Sequence, residues 1–564
     1  MRLFMAVMAM GLSMAATAAL YEDRWAYAAL PIDKDEHLAA YEEIVAKMKR
    51  GDMNGLVYAG GLEGYFCWPE AKRRRFQKLR ALCEANGIEI IPMLWSVGYG
   101  TMGWMGAEYL ENEPIKGLVY SARGGKAVFE SDAIEVKNGG FDEADPMKNR
   151  VAGWHMDKPG LVGYVDTNVV HGGRCSIRFE PAKGEAPHRH ARISQQVKVR
   201  PGRRYRFSCH VKVDDLLPDH GVLMIQAYTK EPNGRFVSAG GKRVDAITSQ
   251  DGWWRVSCEF QSGASDCVNL WAGAWGAQSG RFWLDDASIE EIGYRRFAVG
   301  EEFPMVVKDE RDGTVYREGV DYRRVAKLQV NGFAALELVK GGAIKEGTRL
   351  VIDTFVPSSH GPVAGQVSTC MSNPKLYDLF EKSAAGVMEA CAPRKWFLSV
   401  DEVRNGNRCP RCQARHTDMA HIFGECVTKM HGIIRRHRPD AVIYAWSDMF
   451  DPNHNCHDNY FGCIGTFAGV ADLIPKDIVM SCWYRKKREA SVKFFTEKGF
   501  RIQAGAYYDS DDPQVDAGWM ETLNATPGAT GWLYATWRKK YAVMEDYAKF
   551  MNANSHPLSM ATKK

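Results

Sequence analysis

Beyond its first twenty residues the chain nowhere offers about 20 consecutive apolar residues without charge, so no helical membrane span is expected. It also lacks a dominant sign of charge, with a net +4 over 564 residues. That near-neutrality, without any basic stripe, excludes the electrostatic footprint of a nucleic-acid binder. The run Lys72-Arg73-Arg74-Arg75 reads as the solvated face of a helix. Extended disorder is excluded by composition, since 45% of residues are hydrophobic and only 25% are charged. The 14 cysteines include one close pair, Cys409-Pro-Arg-Cys412, and the second C-x-x-C that would complete a zinc motif is missing. A disulfide, free thiols and half of a structural zinc site all stay open there. Cys426, Cys456, Cys463 and His416 are the candidates to complete such a site.

What is present starts with a leader. Met1 and Arg2 give a positive start, residues 3–14 form an apolar run, and Ala16-Thr17-Ala18 is a small-x-small cleavage site. Residues 1–19 are therefore expected to direct export, and the mature chain to be soluble, secreted or periplasmic. The length fits three or four domains, or one large barrel carrying an insertion. The 16 Trp and 23 Tyr supply flat apolar rings of the kind that cover sugar faces.

Near-continuous apolar strands at 25–30, 55–59 and 88–95 alternate with helical stretches, the pattern of a parallel sheet buried on both faces. From about 128 to 292 the pattern changes to short alternating strands punctuated by turns such as Pro201-Gly202, which predicts a β-sandwich. Strand–helix alternation resumes with strands at 396–400, 441–446, 477–483, 501–507 and 531–537. Three strands and five make eight, so the expected fold is an α/β (β/α)8 TIM barrel interrupted after strand three by an all-β jelly-roll sandwich. The expected boundaries are barrel strands one to three in 20–119, the sandwich in 120–293, a small all-β extension in 294–360 and the remaining barrel in 361–564.

Functional side chains of such barrels project from the C-terminal strand ends. Those ends read Asp401-Glu402, Trp446-Ser447-Asp448, Trp483-Tyr484, Tyr507-Tyr508-Asp509 and Trp537-Arg538. Carboxylates beside aromatic rings are what glycoside hydrolysis needs: a proton donor, a negative group and walls for the ring. The plainer alternative makes Asp401 and Glu402 a polar strand end bonded to Arg404 or Arg411, and the tryptophans plugs of the barrel top. Glu63, Glu108 and Glu113 are further carboxylates with nothing in the sequence to favour them over surface positions. His454 and His457 read as part of a polar rim loop, with metal binding the alternative.

The segment Lys395-Trp-Phe-Leu-Ser-Val-Asp-Glu-Val-Arg404 resembles the strand-four signature of glycoside hydrolase family 20, the β-N-acetylhexosaminidases. The resemblance implies a retaining, substrate-assisted reaction on an oligo- or polysaccharide, with no cofactor and no catalytic metal. In it the sugar's 2-acetamido oxygen attacks, Asp401 orients that group and Glu402 is the general acid. Tyr507 or Tyr508 would hydrogen-bond the acetamido carbonyl, Trp483 and Trp537 would wall the pocket, and Trp446 and Asp448 would meet hydroxyls. Asp509 joins the same strand-seven ending. The sequence departs from the family by lacking an Arg at the end of strand one and by carrying Leu398-Ser-Val400 where the family has His-Gly-Gly. Two other readings stand beside it: a direct two-carboxylate glycosidase pairing Glu402 with Asp448 or Asp509, and a glycan-binding barrel without turnover. In the insertion, Asn138-Gly-Gly-Phe-Asp-Glu143, His171-Gly-Gly-Arg-Cys-Ser-Ile-Arg178 and Phe282-Trp-Leu-Asp-Asp-Ala287 resemble a carbohydrate-binding-module jelly roll. That resemblance implies a glycan-binding module or a spacer, with Asp285 and Asp286 as candidate calcium ligands.

Overall fold

The computed structural model describes residues 20–100, 105–131, 134–181, 190–218, 222–230, 234–244, 252–359, 366–507 and 509–558. The leader read at residues 1–19 and the candidate Tyr508 lie outside the described residues. Eight parallel strands close into a barrel in chain order. They are β1 (Asp23–Ala28), β2 (Gly55–Tyr58), β3 (Glu89–Leu94), β4 (Lys395–Leu398), β5 (Val442–Trp446), β6 (Val479–Cys482), β7 (Ile502–Ala506) and β8 (Gly531–Tyr534). Helices α1 (Asp35–Arg50) and α2 (Glu70–Ala85) link the first three strands, and α3 (Pro374–Cys391) leads into β4. Helices α4 (Met419–His437), α5 (Arg488–Glu497), α6 (Ala517–Asn524) and α7 (Met544–Ala553) follow β4, β6, β7 and β8. The full eightfold strand–helix alternation expected from sequence is not reached. Between β5 and β6 the chain forms 3-10 turns at Asp448–Phe450 and Val470–Asp472, broken by Pro452 and by left-handed Gly465 and Gly469. No described helix is long and apolar enough to cross a membrane.

Side chains alternate along each barrel strand. Trp25 and Tyr27 point into the lumen with Val57, Ile91, Phe397 and Tyr444, while Ala26 and Ala28 face the helix layer. The seam between β8 and β1 pairs Gly531 with Asp23. Gly531 has φ 145°, and a Cβ there would lie 1.9 Å from the Asp23 carbonyl oxygen, so only glycine lets the barrel close.

The lumen floor is polar. Asp23 is fully buried; Lys395 of β4 meets it at 2.8 Å, and the Tyr444 hydroxyl of β5 donates to it at 2.8 Å. Gln503 of β7 donates at 3.4 Å and itself accepts from Ser481 of β6 at 3.0 Å. One carboxylate thus ties β4, β5 and β7 to β1 directly, and β6 through Gln503. A buried charge of this kind is tolerable only because it is paired and hydrogen-bonded.

The insertion is nested rather than serial. Asn112–Arg123 and Lys126–Phe129 lie in a seven-stranded sheet with Arg349–Pro357, Phe333–Leu338 and three further strands from 306–330. Residues 112–129 therefore belong with the all-β extension, not with the barrel part or the sandwich to which the sequence reading assigned them. Beyond their own hairpin, their partners lie more than 200 residues away, as in Ser121 opposite Arg349, and no local pattern carries that pairing. Within this sheet's connection sit two five-stranded antiparallel sheets that share one buried core, which includes Ile177, Phe207, Ile225 and Leu270. The Asp285 carboxylate there accepts the backbone N–H groups of His171, Gly172 and Asp286, while Asp286 meets the His171 ring at 2.5 Å. Three backbone N–H groups thus hold the Asp285 carboxylate, and Asp286 lies with His171 and His210 in a group whose possible ligand atoms are within 4.8 Å of one another.

Replacing Lys395 by Met leaves Asp23 charged and unpaired in the lumen floor. We expect a loss of about 3–5 kcal/mol, read as a lower urea midpoint followed by tryptophan fluorescence. The double variant Asp23→Leu/Lys395→Met should recover part of that loss; equal losses in both variants would argue against a buried ion pair.

Candidate active site

β4 ends at Leu398, and the chain turns four residues later: Glu402 adopts φ 46°, the left-handed region that is strained for a residue with a side chain. The turn settles a geometric problem, because consecutive strand residues face opposite ways. Here Asp401 and Glu402 both line one cavity. The turn is held from outside by Gln366, whose amide donates to the carbonyls of Gly98 at 2.9 Å and Glu402 at 3.0 Å. Gly98 is required where it stands, since a Cβ would come within 2.9 Å of the Asp401 carbonyl oxygen.

The cavity measures about 470 Å³ and opens at the C-terminal ends of the strands. Tyr27, Trp446, Trp483 and Trp537 form aromatic walls, and Glu63, Asp401 and Glu402 bring three carboxyl groups to it. Trp446 is buried against Phe397, whereas Trp537 is 47% exposed at the rim and packs edge-on against Tyr27. A volume of this size, apolar with a few convergent polar groups, suits a small ligand or one unit of a polymer.

The carboxyl groups sit in contrasting settings. Glu402 is taken on both oxygens, by Arg404 at 2.6 Å and by the Tyr99 hydroxyl at 2.7 Å, and Arg404 also donates to Tyr99 at 2.9 Å. The Arg404 contact anticipated by the plainer reading is therefore present, while Arg411 pairs with Glu302 instead. Asp401 accepts from Ser399 at 3.1 Å, and desolvation with the neighbouring charge of Glu402 pushes it up to about 6. Glu63 stands one turn past β2; burial pushes it up to about 7, and its Oε2 has no hydrogen-bond partner. The sequence offered no periodicity to single it out. Its one signal was its place just beyond a barrel strand, after Gly60-Gly61.

The other candidates divide. Asp448 is fully buried beneath the cavity and accepts from the Glu402 backbone at 2.9 Å, Asn455 at 2.8 Å and the Trp483 indole at 3.3 Å. Burial and the charge of Asp401 push it up to about 7. It positions Trp483 and the Glu402 turn and does not reach the ligand space. Tyr507 does not come to the cavity: its backbone N–H is held by Asp516, its hydroxyl donates to the Ser510 carbonyl, and its ring stacks on Tyr534 at 4.3 Å. Asp509 is likewise diverted, accepting from Thr536 and from the backbone N–H groups of Trp537 and Arg538. Both residues have positive φ, which turns the chain away from the strand direction that the sequence reading extrapolated. His454 is wedged between Trp483 and Tyr484, and burial pushes it down to about 4. Among the described residues neither His454 nor His457 joins a group of three close metal-ligating side chains.

Glu63, Asp401 and Asp448 hold their protons to higher pH when folded than the ordinary carboxylate value near 4. At these three sites the folded state binds more protons than the unfolded chain, so their contribution to stability is fully present below about pH 4 and falls as pH rises from about 4 through 7. The urea midpoint of the wild type, compared with that of Asp448→Asn, should fall between pH 4 and pH 7. A difference that stays constant over that range would contradict a buried, proton-holding Asp448.

No protein-family model and no curated protein matches the chain. Among solved structures it is similar over 28% of its length to the whole of TmCBM61 in complex with β-1,4-galactotriose, at 13% identity and a TM-score of 0.22. It is similar over 28% of its length to the whole of a CBM4 structure, at 16% identity and a TM-score of 0.21. A third likeness spans 32% of this chain and 96% of the CBM22-1 xylan-binding domain from Paenibacillus barcinonensis Xyn10C, at 16% identity and a TM-score of 0.20. At these scores the likenesses assign neither fold nor activity to the chain, and the resemblance to family 20 gains nothing from them.

Proposed function

We propose that the chain is a glycoside hydrolase that seats one sugar of an oligo- or polysaccharide between Trp446, Trp483 and Trp537. The observation that carries this reading is the contrast between two carboxyl groups on different strand ends of one aromatic cavity. Glu63 is buried, pushed up to about 7 and unpartnered on one oxygen, the setting of a proton donor. Glu402 is an acceptor fixed by a guanidinium and a phenol, the setting of a charged partner. In the proposed reaction the Glu63 proton passes to the glycosidic oxygen as the bond from the anomeric carbon breaks beside Glu402; a water oxygen then bonds to that carbon, and the proton it loses restores the Glu63 acid. Asp401, beside Glu402, is left to orient the sugar. This assignment exchanges the role of acid that the family 20 resemblance gives to Glu402, because both Glu402 oxygens are already taken by Arg404 and Tyr99 whereas Glu63 keeps one oxygen unpartnered.

The adjacency of Asp401 and Glu402 on one turn favours a second reading, the substrate-assisted reaction on 2-acetamido sugars. Tyr507 has no part in it here, since its hydroxyl is already given to Ser510. Export of the mature chain belongs to the same proposal and rests on the leader-like residues 1–19.

A panel of aryl glycosides with and without a 2-acetamido group separates the readings. Glu63→Gln should lower kcat by about 10²–10⁴-fold on substrates whose leaving group needs a proton, and far less on dinitrophenyl glycosides, whose leaving group does not. Glu402→Gln should lower both. Turnover confined to acetamido sugars and indifferent to Glu63→Gln would transfer the proposal to the substrate-assisted mechanism. No turnover on any member, with sugar affinity unchanged by Glu402→Gln, would sink the enzyme reading.

A further inference from the structure

The half-site read at Cys409 and Cys412 acquires two partners in the fold. Cys370 brings its Sγ to 3.4 Å from Cys409 Sγ and 3.8 Å from Cys412 Sγ, and Glu111 Oε1 lies 3.0 Å from Cys412 Sγ. All four side chains are buried, and their ligand atoms lie within 4.8 Å of one another. None of the candidates suggested by sequence belongs to this group, and two of them, Cys456 and Cys463, donate to the carbonyls of Phe467 and Val403.

We propose that Glu111, Cys370, Cys409 and Cys412 form a tetrahedral zinc site. Three thiol sulfurs and a carboxylate form a donor set for zinc, whose bonds to sulfur of about 2.3 Å place tetrahedral sulfur ligands about 3.8 Å apart. The Cys370–Cys412 separation of 3.8 Å equals that edge, and the 3.4 Å between Cys370 and Cys409 lies close below it. A disulfide would draw two sulfurs to about 2.05 Å and strand the third beside a buried carboxyl. The surroundings supply what bound thiolates require. The Cys412 backbone N–H points at Cys409 Sγ at 3.4 Å, and Arg411 approaches Cys370 Sγ at 3.8 Å. Glu111 is oriented by the backbone N–H groups of Arg408 and Cys409 on its Oε2, which leaves Oε1 directed at the sulfurs. Three thiolates and one carboxylate carry four negative charges; zinc cancels two, and the Arg411 guanidinium, shared with Glu302, faces the remainder. On binding, each thiol gives up its proton to solvent and no electron is transferred.

The site's position gives it a role. Glu111 lies where the chain leaves the barrel for the insertion, and Cys370 where it returns, next to the bridge between Leu110 and Thr369. Cys409 and Cys412 lie on the loop that follows Asp401 and Glu402. One ion would bolt both roots of the insertion to the loop behind the candidate active site.

The full chain, purified without chelator under reducing conditions, should contain one zinc per molecule by plasma mass spectrometry. Cobalt replacement of the wild type should give an intense thiolate-to-metal charge-transfer band, a readout that needs no variant to fold. Cys370→Ser and Glu111→Gln should each lower zinc content or weaken its retention against a chelator at least tenfold, while Cys463→Ser keeps it. Absence of zinc after reconstitution overturns the proposal. So does a thiol titration of the denatured chain that finds two thiols missing, or full zinc retention in Cys370→Ser/Cys409→Ser.

Discussion

A single carboxylate at the bottom of the barrel sets the terms for everything above it. Asp23 has no access to water, so its charge must be met by protein groups, and these come from β4, β5 and β7. The strands that answer it are fixed in height and rotation relative to β1. Above that floor, the period of two delivers alternate side chains to the lumen in register, ending with Tyr27 and Trp446 at the mouth. The cavity walls are thus the upper end of a stack whose lower end is an ion pair, and the closing glycine at position 531 lets the stack form a ring.

At the mouth the physical situation is inverted. The floor matches one negative charge with one positive charge, whereas the top gathers the four carboxyls of Glu63, Asp401, Glu402 and Asp448, with Arg404 bonded to Glu402 and Lys72 acting on Glu63. Carboxyls crowded into a poorly solvated place cannot all be ionised, and burial makes Glu63, Asp401 and Asp448 hold their protons to higher pH. The left-handed backbone at Glu402 is part of that arrangement. It turns the chain so that neighbouring carboxyls share one space, and Gln366 and Asp448 hold the turn from either side. Strain placed at such a point is maintained because the rest of the structure over-determines it.

Much of this was legible in the sequence, and the reason is burial. Barrel strands covered on both faces must be nearly continuous apolar runs, and all eight were visible as such. The end of β4 was legible because two carboxylates after an apolar strand are costly without a task. Illegible were the features set by partners distant along the chain. Residues 112–129 look like any short strands until their pairing with 333–357 is known. Glu111 and Cys370 cannot be associated with Cys409 by spacing, and Glu63 carries no pattern beyond its location. Tyr507 and Asp509 were misplaced by extending a strand direction past its last residue, where positive φ bends the chain aside.

The bridge between Leu110 and Thr369 brings the two ends of the insertion side by side. Seen from the barrel, the sandwich and its supporting sheet together amount to one loop whose ends nearly touch. The closure entropy of a loop grows only logarithmically with its length, so the chain grafted at this stem adds little to the entropy that β3 and β4 must overcome to meet. The stem is thus a place where whole modules can be exchanged without re-teaching the barrel how to fold.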